Sequence, residues 1–267
     1  MSPQPSSEST EKPAEKPFPA PCHSLSVLAP LRWLRLGWAD MLRAPRLSLT
    51  YGFVLMLISA SIGVLTWRYG SLALYLGLAT GFVFVGPILA VGLYSISRQL
   101  EAGLEPVMGY CIQQGWRHVR GLMVLGLVLL VVLLVWARAA AVVHIFFPVE
   151  ANPSWQELLP FLGIGSAIGA VFAAIVFTAS AFSLPMIMDR QVDSITAVVS
   201  SFNAVLSNKG AMLVWVSLIG LTVLLGFASA FLAFIVLLPL IGHATWHAYR
   251  ETIDASAWNK NAPGEAS

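Results

Sequence analysis

Five long apolar runs constrain this chain more than any other feature of its sequence. They cover residues 47–67, 72–96, 121–147, 161–188 and 210–249. A helix needs roughly 20 mostly apolar residues to cross a bilayer, so every run is long enough to do so. The last run carries no charge before Arg250, and one helix of that length would be about 60 Å long, twice the hydrocarbon core. We therefore predict two spans there, about 210–227 and 229–249, with a turn near Gly226.

The predicted fold is an all-α, polytopic membrane protein with about six transmembrane helices. Only 10% of the residues are charged and the net charge is +2, whereas ordinary soluble domains carry about 25% charged residues. This composition excludes a nucleic-acid-binding protein, a disordered regulator and an ordinary cytosolic enzyme. The two cysteines, Cys22 and Cys111, are too few for a disulfide scaffold or a zinc site of four thiolates.

The distribution of basic residues predicts the orientation. All lysines and arginines except Arg68 and Arg138 lie in segments that six spans place on one side. By the positive-inside rule that side is the cytoplasm, so we predict cytoplasmic termini in a bacterial inner membrane. Residues 1–24 are rich in proline and polar residues and are expected to be a disordered tail. Residues 25–250 are expected to form the membrane domain, and residues 251–267 a short cytoplasmic tail.

The spans group into three hairpins, and the second helix of each carries a proline toward its end. These prolines are Pro87, Pro185 and Pro239. Because proline kinks or ends a helix, the recurrence suggests a repeated hairpin. Coincidence is the alternative, since membrane helices tolerate proline.

Three cytoplasmic stretches carry apolar residues at helical spacing, with basic residues beside them. They are residues 26–42, 98–118 and 189–209. This pattern is typical of amphipathic helices that lie on the membrane surface. The alternative is that they form a docking platform for a partner.

The densest group of chemically versatile side chains lies in segment 243–250. His243 and His247 share one helix face, a spacing that suits a transition metal or a haem ligand. The zinc-protease motif is not met, because Ala244 stands where that motif has glutamate. The alternative is the interfacial end of a helix, where histidine, tryptophan and tyrosine are common. Further soft ligands would come from Met186, Met188, His144 or the pair Cys22 and His23.

Two other features mark the third and fourth apolar runs. Arg138 is an intramembrane charge, which is a functional hint, although its side chain is placed to reach the outer headgroups. Pairing with Glu150 or Glu157, or binding an anionic ligand, is the alternative. In the fourth run, Gly163, Gly165, Gly169 and Ala173 have the small-residue spacing typical of helix packing.

Segment 81–103 reads GFVFVGPILAVGLYSISRQLEAG, and segment 238–250 reads LPLIGHATWHAYR. These two motifs resemble an uncharacterised family of predicted integral inner-membrane proteins of Proteobacteria, a domain of unknown function, and the resemblance covers about Leu31 to Glu251. It implies a multi-pass bacterial membrane protein and supplies no catalytic residues. In the first motif, Gly86, Pro87, Gly92, Tyr94 and Arg98 form either a structural kink or a small-ligand site. Arg98 is placed to pair with Glu101 or a lipid phosphate.

The sequence leaves three functions open. The six spans contain no aspartate or glutamate, which disfavours an ion-coupled transporter, and no nucleophile–base pair predicts an enzyme. The leading hypothesis is a scaffold or assembly factor for another membrane component. Its partners would be the lipid bilayer and a membrane protein, not nucleic acid. The alternatives are a transporter or permease of a small or lipid-like solute, and metal or haem handling through His243 and His247, with no other cofactor expected.

Overall fold

The computed structural model describes residues 17–70, 89–146 and 154–261. The described chain is helical, and it contains no β-strand beyond isolated bridges, which confirms the all-α class for these ranges. The helices are α1 (Ala29–Arg43), α2 (Pro45–Tyr69), α3 (89–101 in its described part), α4 (Met108–Arg117), α5 (Val119–Phe146), α6 (Trp155–Ser180), α7 (Ser183–Asp189), α8 (Ser194–Ser207), α9 (Lys209–Ala228) and α10 (Phe234–Thr252).

Four segments of the described chain are long and apolar enough to cross a membrane. They are Pro45–Tyr69, Val119–Val143, Leu159–Asp189 and Lys209–Ala228. They correspond to the first, third, fourth and fifth predicted spans. The second predicted span falls mostly outside the described residues. The sixth corresponds to α10, whose second half is polar.

The long apolar run at 210–249 is divided between two helices. Helix α9 ends at Ala228 and α10 begins at Phe234, within a few residues of the predicted turn. The connection places Ala230 and Phe231 at φ of 48° and 70°, a left-handed conformation that costs energy for residues other than glycine. Two hydrogen bonds offset this cost: the Phe231 amide donates to the Gly226 carbonyl (2.7 Å), and the Ala233 amide donates to the Ser229 hydroxyl (2.9 Å).

Helix α10 lies at the centre of the described structure and passes close to three other helices at glycines. A Cβ added at Gly37 of α1 would lie 2.7 Å from the Ala244 amide nitrogen, and one at Gly242 of α10 would lie 2.7 Å from a methyl of Leu93 in α3. Gly52 of α2 faces the backbone of Ile235 still more closely. The lack of a side chain therefore sets how near these helix axes approach.

Helix α1 uses a different face for internal packing than its apolar stripe indicates. Trp33, Gly37 and Asp40 are buried, and the Trp33 ring meets that of Trp215 edge-to-face at 5.5 Å. Val27, Leu31 and Trp38 of the stripe remain exposed, whereas Met41 is buried and Leu34 packs against the core. That exposure leaves an apolar face free to lie against lipid, in line with an interfacial helix.

The N-terminal segment differs from the sequence expectation, which placed residues 1–24 in a disordered tail. Residues 1–16 lie outside the described residues, but residues 17–25 run along α8. The Ala20 amide donates to the Ser200 hydroxyl (3.0 Å), and the Leu25 amide donates to the Asn208 side chain (2.8 Å). Composition alone missed this because the partners that satisfy these backbone groups lie about 180 residues away in sequence.

The C-terminal segment also packs against the protein as far as Asn261. Ile253, Ala255 and Trp258 are buried, and the Gln191 amide donates to the Asn259 carbonyl (2.9 Å). A few apolar side chains thus anchor a segment that the sequence presents as a polar tail. We call residues 17–44, 89–118, 183–208 and 240–261 together the base, because long-range hydrogen bonds connect them into one unit.

Candidate functional site

A buried ionic cluster lies in the base around Asp189, the last residue of α7. Asp189 is only 3% exposed, and its Oδ2 accepts hydrogen bonds from Arg190 Nε (2.9 Å) and the Tyr249 hydroxyl (2.9 Å). Arg98 Nε lies 3.6 Å from Oδ1, and Arg250 Nη1 lies 3.9 Å from Oδ2. A buried carboxylate is stable only when it is well compensated, and here three guanidinium groups from separate parts of the chain compensate it.

Glu101 of α3 forms a second acidic point beside this cluster. Its Oε1 accepts from Arg250 Nη2 (2.9 Å), and its Oε2 accepts from the indole of Trp246 (2.9 Å). The pairing of Arg98 with Glu101 considered from sequence is therefore not the one observed. Arg98 instead faces Asp189 and donates through Nη2 to the Asn261 carbonyl. Arg98 and Glu101 have different partners because α10 lies beside the end of α3, where Arg250 and Trp246 bind Glu101.

A cavity of about 140 Å³ lies among these side chains. Its walls include Arg98, Glu101, Asp189, Trp246, Arg250 and Lys260. Arg98 is 6% exposed, and its Nη1 is buried without a hydrogen-bond partner among the described residues. A buried donor with no acceptor is costly, so this atom stands out in an otherwise well-paired cluster.

His243 forms a separate polar contact deeper in the structure. It is fully buried, with Nε2 2.9 Å from the Ser48 hydroxyl of α2 and Nδ1 2.8 Å from the Ser97 hydroxyl of α3. The Ser48 hydroxyl donates to the Ala44 carbonyl, so it accepts from Nε2–H, and Nδ1 accepts from Ser97. A neutral His243 thus joins three helices with both ring nitrogens satisfied.

His247 has a different partner, although it shares a helix face with His243. Its Nε2 lies 2.8 Å from Oδ2 of Asp40 in α1, which is 5% exposed. The described residues include no group of three or more His, Cys, Asp or Glu side chains able to hold a metal ion. The two histidines are used to join helices, and the structure does not bring them together with a third ligand.

The other soft ligands considered from sequence lie apart from these histidines. Met186 and Met188 are fully buried in α7 within the apolar core, and Cys22 lies against the Asn203 amide. The side chain of His144 lies outside the described residues, so its part in that prediction stays open.

Of the remaining candidates from sequence, some are packed inside the protein, one is exposed, and others lie outside the described residues. Gly92 faces the ring of Tyr51, where an added Cβ would lie 2.6 Å from Cε1, and Tyr94 is buried in the core. Both placements agree with the structural alternative for this motif. Gly86, Pro87 and Glu150 lie outside the described residues. Arg138 is exposed on α5, and its predicted pairing partners lie beyond the described side chains.

His118, at the junction of α4 and α5, attaches the C-terminal segment to the base. Its Nδ1–H donates to the Gln114 carbonyl (2.9 Å), and Nε2 accepts from the Asn261 amide (3.1 Å). The same amide nitrogen also donates to the Met188 carbonyl (2.9 Å). Burial lowers the pKa of His118 below its ordinary value of 6.5, and nearby Arg98 and Arg117 lower it further.

We expect the C-terminal segment to loosen as the pH falls below 6.5. A depressed histidine pKa in the folded state stabilises the docked segment above the ordinary pKa, and this stability is lost toward lower pH. Protonated Nε2 would face the donating Asn261 amide, and turning that amide over would lose its bond to Met188. Hydrogen exchange of residues 255–261 between pH 7.5 and 5.5 measures the effect. His118→Gln keeps an acceptor but does not titrate, so an equally steep pH dependence in this variant would contradict the assignment.

The central residue of the ionic cluster was missed by sequence reasoning. In sequence, Asp189 marks only the end of the fourth apolar run, next to Arg190. An acid–base pair directly at the end of a span is a usable signal, because such charges are costly unless they are paired. The partners of Asp189 could not be predicted from sequence, since Tyr249, for example, lies 60 residues away.

Comparison with known proteins agrees with this description of a membrane protein. Residues 74–189 match the sequence model of a family described as predicted integral membrane protein (DUF2189). The match confirms the family resemblance over a segment that includes Arg98, Glu101 and Asp189. The motif at 238–250 lies outside the matched segment. No curated protein and no solved structure matches the chain.

Proposed function

We propose that the protein is a non-catalytic scaffold of the bacterial inner membrane, with six spans and both termini in the cytoplasm. The pairing of its terminal segments supports an even number of crossings. The His23 amide donates to the Thr252 carbonyl (2.8 Å), and the Asp254 amide donates to the Pro21 carbonyl (2.9 Å). Both segments therefore lie on one side. Arg98, Arg190 and Arg250 gather around Asp189 on that same side, which favours the cytoplasm by the positive-inside rule.

The course of the chain supports six crossings rather than four. Helix α9 leaves the base as an apolar span, and α10 returns from the turn at 229–233 to contacts with α1 and the Asp189 cluster. This course supports α10 as a further crossing helix, and the burial of its second half in the base accounts for its lower apolarity. Ser48 near the start of α2 and Ser97 in α3 both contact His243, which supports the crossing that the apolar run at 72–96 predicts from sequence.

One observation carries the scaffold role: the base is tightly connected, whereas the spans are largely uncovered. In an 18-residue apolar stretch of each of the four described segments, between 0 and 28% of the residues are buried. The polar side chains of the base join segments that are far apart in sequence, which makes it a rigid platform. Helices held by such a platform present wide apolar surfaces to lipid or to other membrane helices, the arrangement that an assembly factor needs.

We expect photo-crosslinking in living cells to trap a discrete protein partner on the exposed faces of the spans. A benzoylphenylalanine at Val171 of α6 (60% exposed) and another at Leu134 of α5 (50% exposed) are suitable probes. A partner with a defined contact gives a crosslinked product of one mass, identifiable by mass spectrometry. Two differently tagged copies of the chain show whether that partner is a second copy.

A probe at Glu105, exposed in the loop between α3 and α4, is the matched control outside the apolar surfaces. The scaffold role predicts a product at Val171 or Leu134 that is absent at Glu105. If the span positions yield only lipid adducts while the protein is folded and membrane-inserted, the scaffold proposal fails.

A further inference from the structure

The ionic cluster contains more positive charge than its carboxylates neutralise. Three basic side chains face two acidic ones in the cavity wall, Arg98, Arg250 and Lys260 against Glu101 and Asp189, which leaves a surplus of one positive charge. Arg190 pairs with Asp189 from outside this wall and adds further positive charge. Both oxygens of Glu101 and Oδ2 of Asp189 already accept hydrogen bonds. The acidic groups are therefore occupied, and the positive surplus in the wall favours an anion over a cation as a ligand.

Arg98 provides an independent sign of a missing ligand. This side chain lines the cavity and is more than nine-tenths buried. Its Nη2 donates to the Asn261 carbonyl, its Nε lies 3.6 Å from Asp189, and its Nη1 has no partner among the described residues. An anionic oxygen bound against this guanidinium would supply the missing acceptor.

We propose that this cavity binds a phosphate group. Arginine presents a fork of donors that fits phosphate oxygens, and lysine adds a mobile point charge. The volume of about 140 Å³ corresponds to roughly five water molecules, which suits a tetrahedral phosphate but not a whole nucleotide. The remainder of any larger ligand would stay outside, beyond Lys260, which is exposed.

The position of the cavity allows two sources of this phosphate. It lies between the ends of α3, α7 and α10, and Asp189 in its wall is the last residue of the apolar segment Leu159–Asp189. The end of a membrane span is the level at which lipid headgroups lie. A phospholipid headgroup and a free phosphate both reach that depth. The proposal is independent of the scaffold role, because it concerns only side chains of the base.

The test uses the full-length protein purified in detergent and then reconstituted in nanodiscs. Inorganic phosphate is titrated against chloride at equal ionic strength while the melting temperature is followed. Phosphatidic acid in phosphatidylcholine nanodiscs is compared with phosphatidylcholine alone. A phosphate-specific rise in melting temperature identifies free phosphate as a ligand, and a rise only with phosphatidic acid identifies the headgroup. Either result supports the site.

Two charge-matched variants make the test specific. Lys260→Gln removes a basic group at the mouth of the cavity, and we expect about tenfold weaker phosphate or phosphatidic acid binding. Arg43→Gln removes an exposed charge at the end of α1, which does not line the cavity, and we expect no change. Arg98→Lys keeps the charge without Nη1 and should also weaken binding. No response to either ligand, or equal losses in Lys260→Gln and Arg43→Gln, would overturn the proposal.

Discussion

Replacing Gly52 with alanine is expected to prevent close packing of α2 against α10 and to abolish most of the folded protein. An added Cβ would lie 2.7 Å from the carbonyl carbon of Ile235 and 2.8 Å from Cγ of Pro239, and closer still to the Ile235 carbonyl oxygen. Backbone atoms cannot move aside by changing rotamer, so α10 itself would have to shift. Overpacking costs about 1–3 kcal/mol in ordinary cores, and we expect the upper end of that range or more.

The same shift would also disturb contacts farther along α10. Pro239 precedes His243 by about one turn, and His243 bonds to Ser48, which lies one turn before Gly52 on α2. Moving α10 away from Gly52 therefore stretches this bond as well. Fluorescence-detected size-exclusion chromatography and thermal melting of the detergent-solubilised protein measure the loss.

Gly169→Ala is the matched control for this substitution. Gly169 is also a glycine in an apolar helix, but nothing lies within 4 Å of the position that its Cβ would occupy. We expect a melting temperature within about a degree or two of the wild type, since surface-like changes rarely exceed ±0.5 kcal/mol. Equal losses in Gly52→Ala and Gly169→Ala would mean that the close α2–α10 crossing does not limit stability.

These two glycines illustrate how far the sequence predicts the packing. The spacing of Gly165, Gly169 and Ala173 indicates a packing face on α6, yet added Cβ atoms at both glycines would meet open space. Two of the close crossings lie instead at Gly37, which has no such spacing, and at Gly52, whose spacing from Ser48 the sequence analysis did not single out. A spacing rule identifies a face of one helix, but it carries no information about the helix that meets it.

The apolar spans were predictable because burial in a bilayer is a local requirement. Any helix that crosses must be long and apolar, whatever its neighbours are, and the four apolar segments fall where the runs predict them. The turn between α9 and α10 was predictable for the same reason, because one helix would have been too long.

The candidate site was only partly predictable because it depends on contacts between distant residues. The sequence identified Arg98 as a candidate because it lies at the end of a predicted span. Its contact with Asn261 could not be predicted, because the two positions are 163 residues apart. The packing of residues 17–25 against the protein was not predicted for a similar reason. Their partners lie on α8 and in the C-terminal segment, and composition does not encode that proximity.

Replacing His243 with alanine is expected to destabilise the protein by about 3–5 kcal/mol. The change leaves a cavity where three helices meet and removes both hydrogen bonds of the buried ring. Ser97→Ala leaves only Nδ1 without a donor, so we expect a smaller loss of about 1–3 kcal/mol. His243→Gln can still place a donor near Ser48 and should fall between the wild type and the alanine variant. Thermal melting of the purified proteins gives this order.

His23→Ala is the control, because His23 is exposed and should leave stability unchanged. The same samples distinguish a structural histidine from a metal or haem ligand. If His243 joins α2, α3 and α10, stability falls from the wild type to the glutamine variant to the alanine variant, whatever the metal content is. If His243→Ala instead melts like the wild type and loses a stoichiometric metal or a visible absorption band, the structural assignment is wrong. The fully satisfied ring nitrogens favour the first outcome, since a ligand to metal would require one of these two hydrogen bonds to be broken.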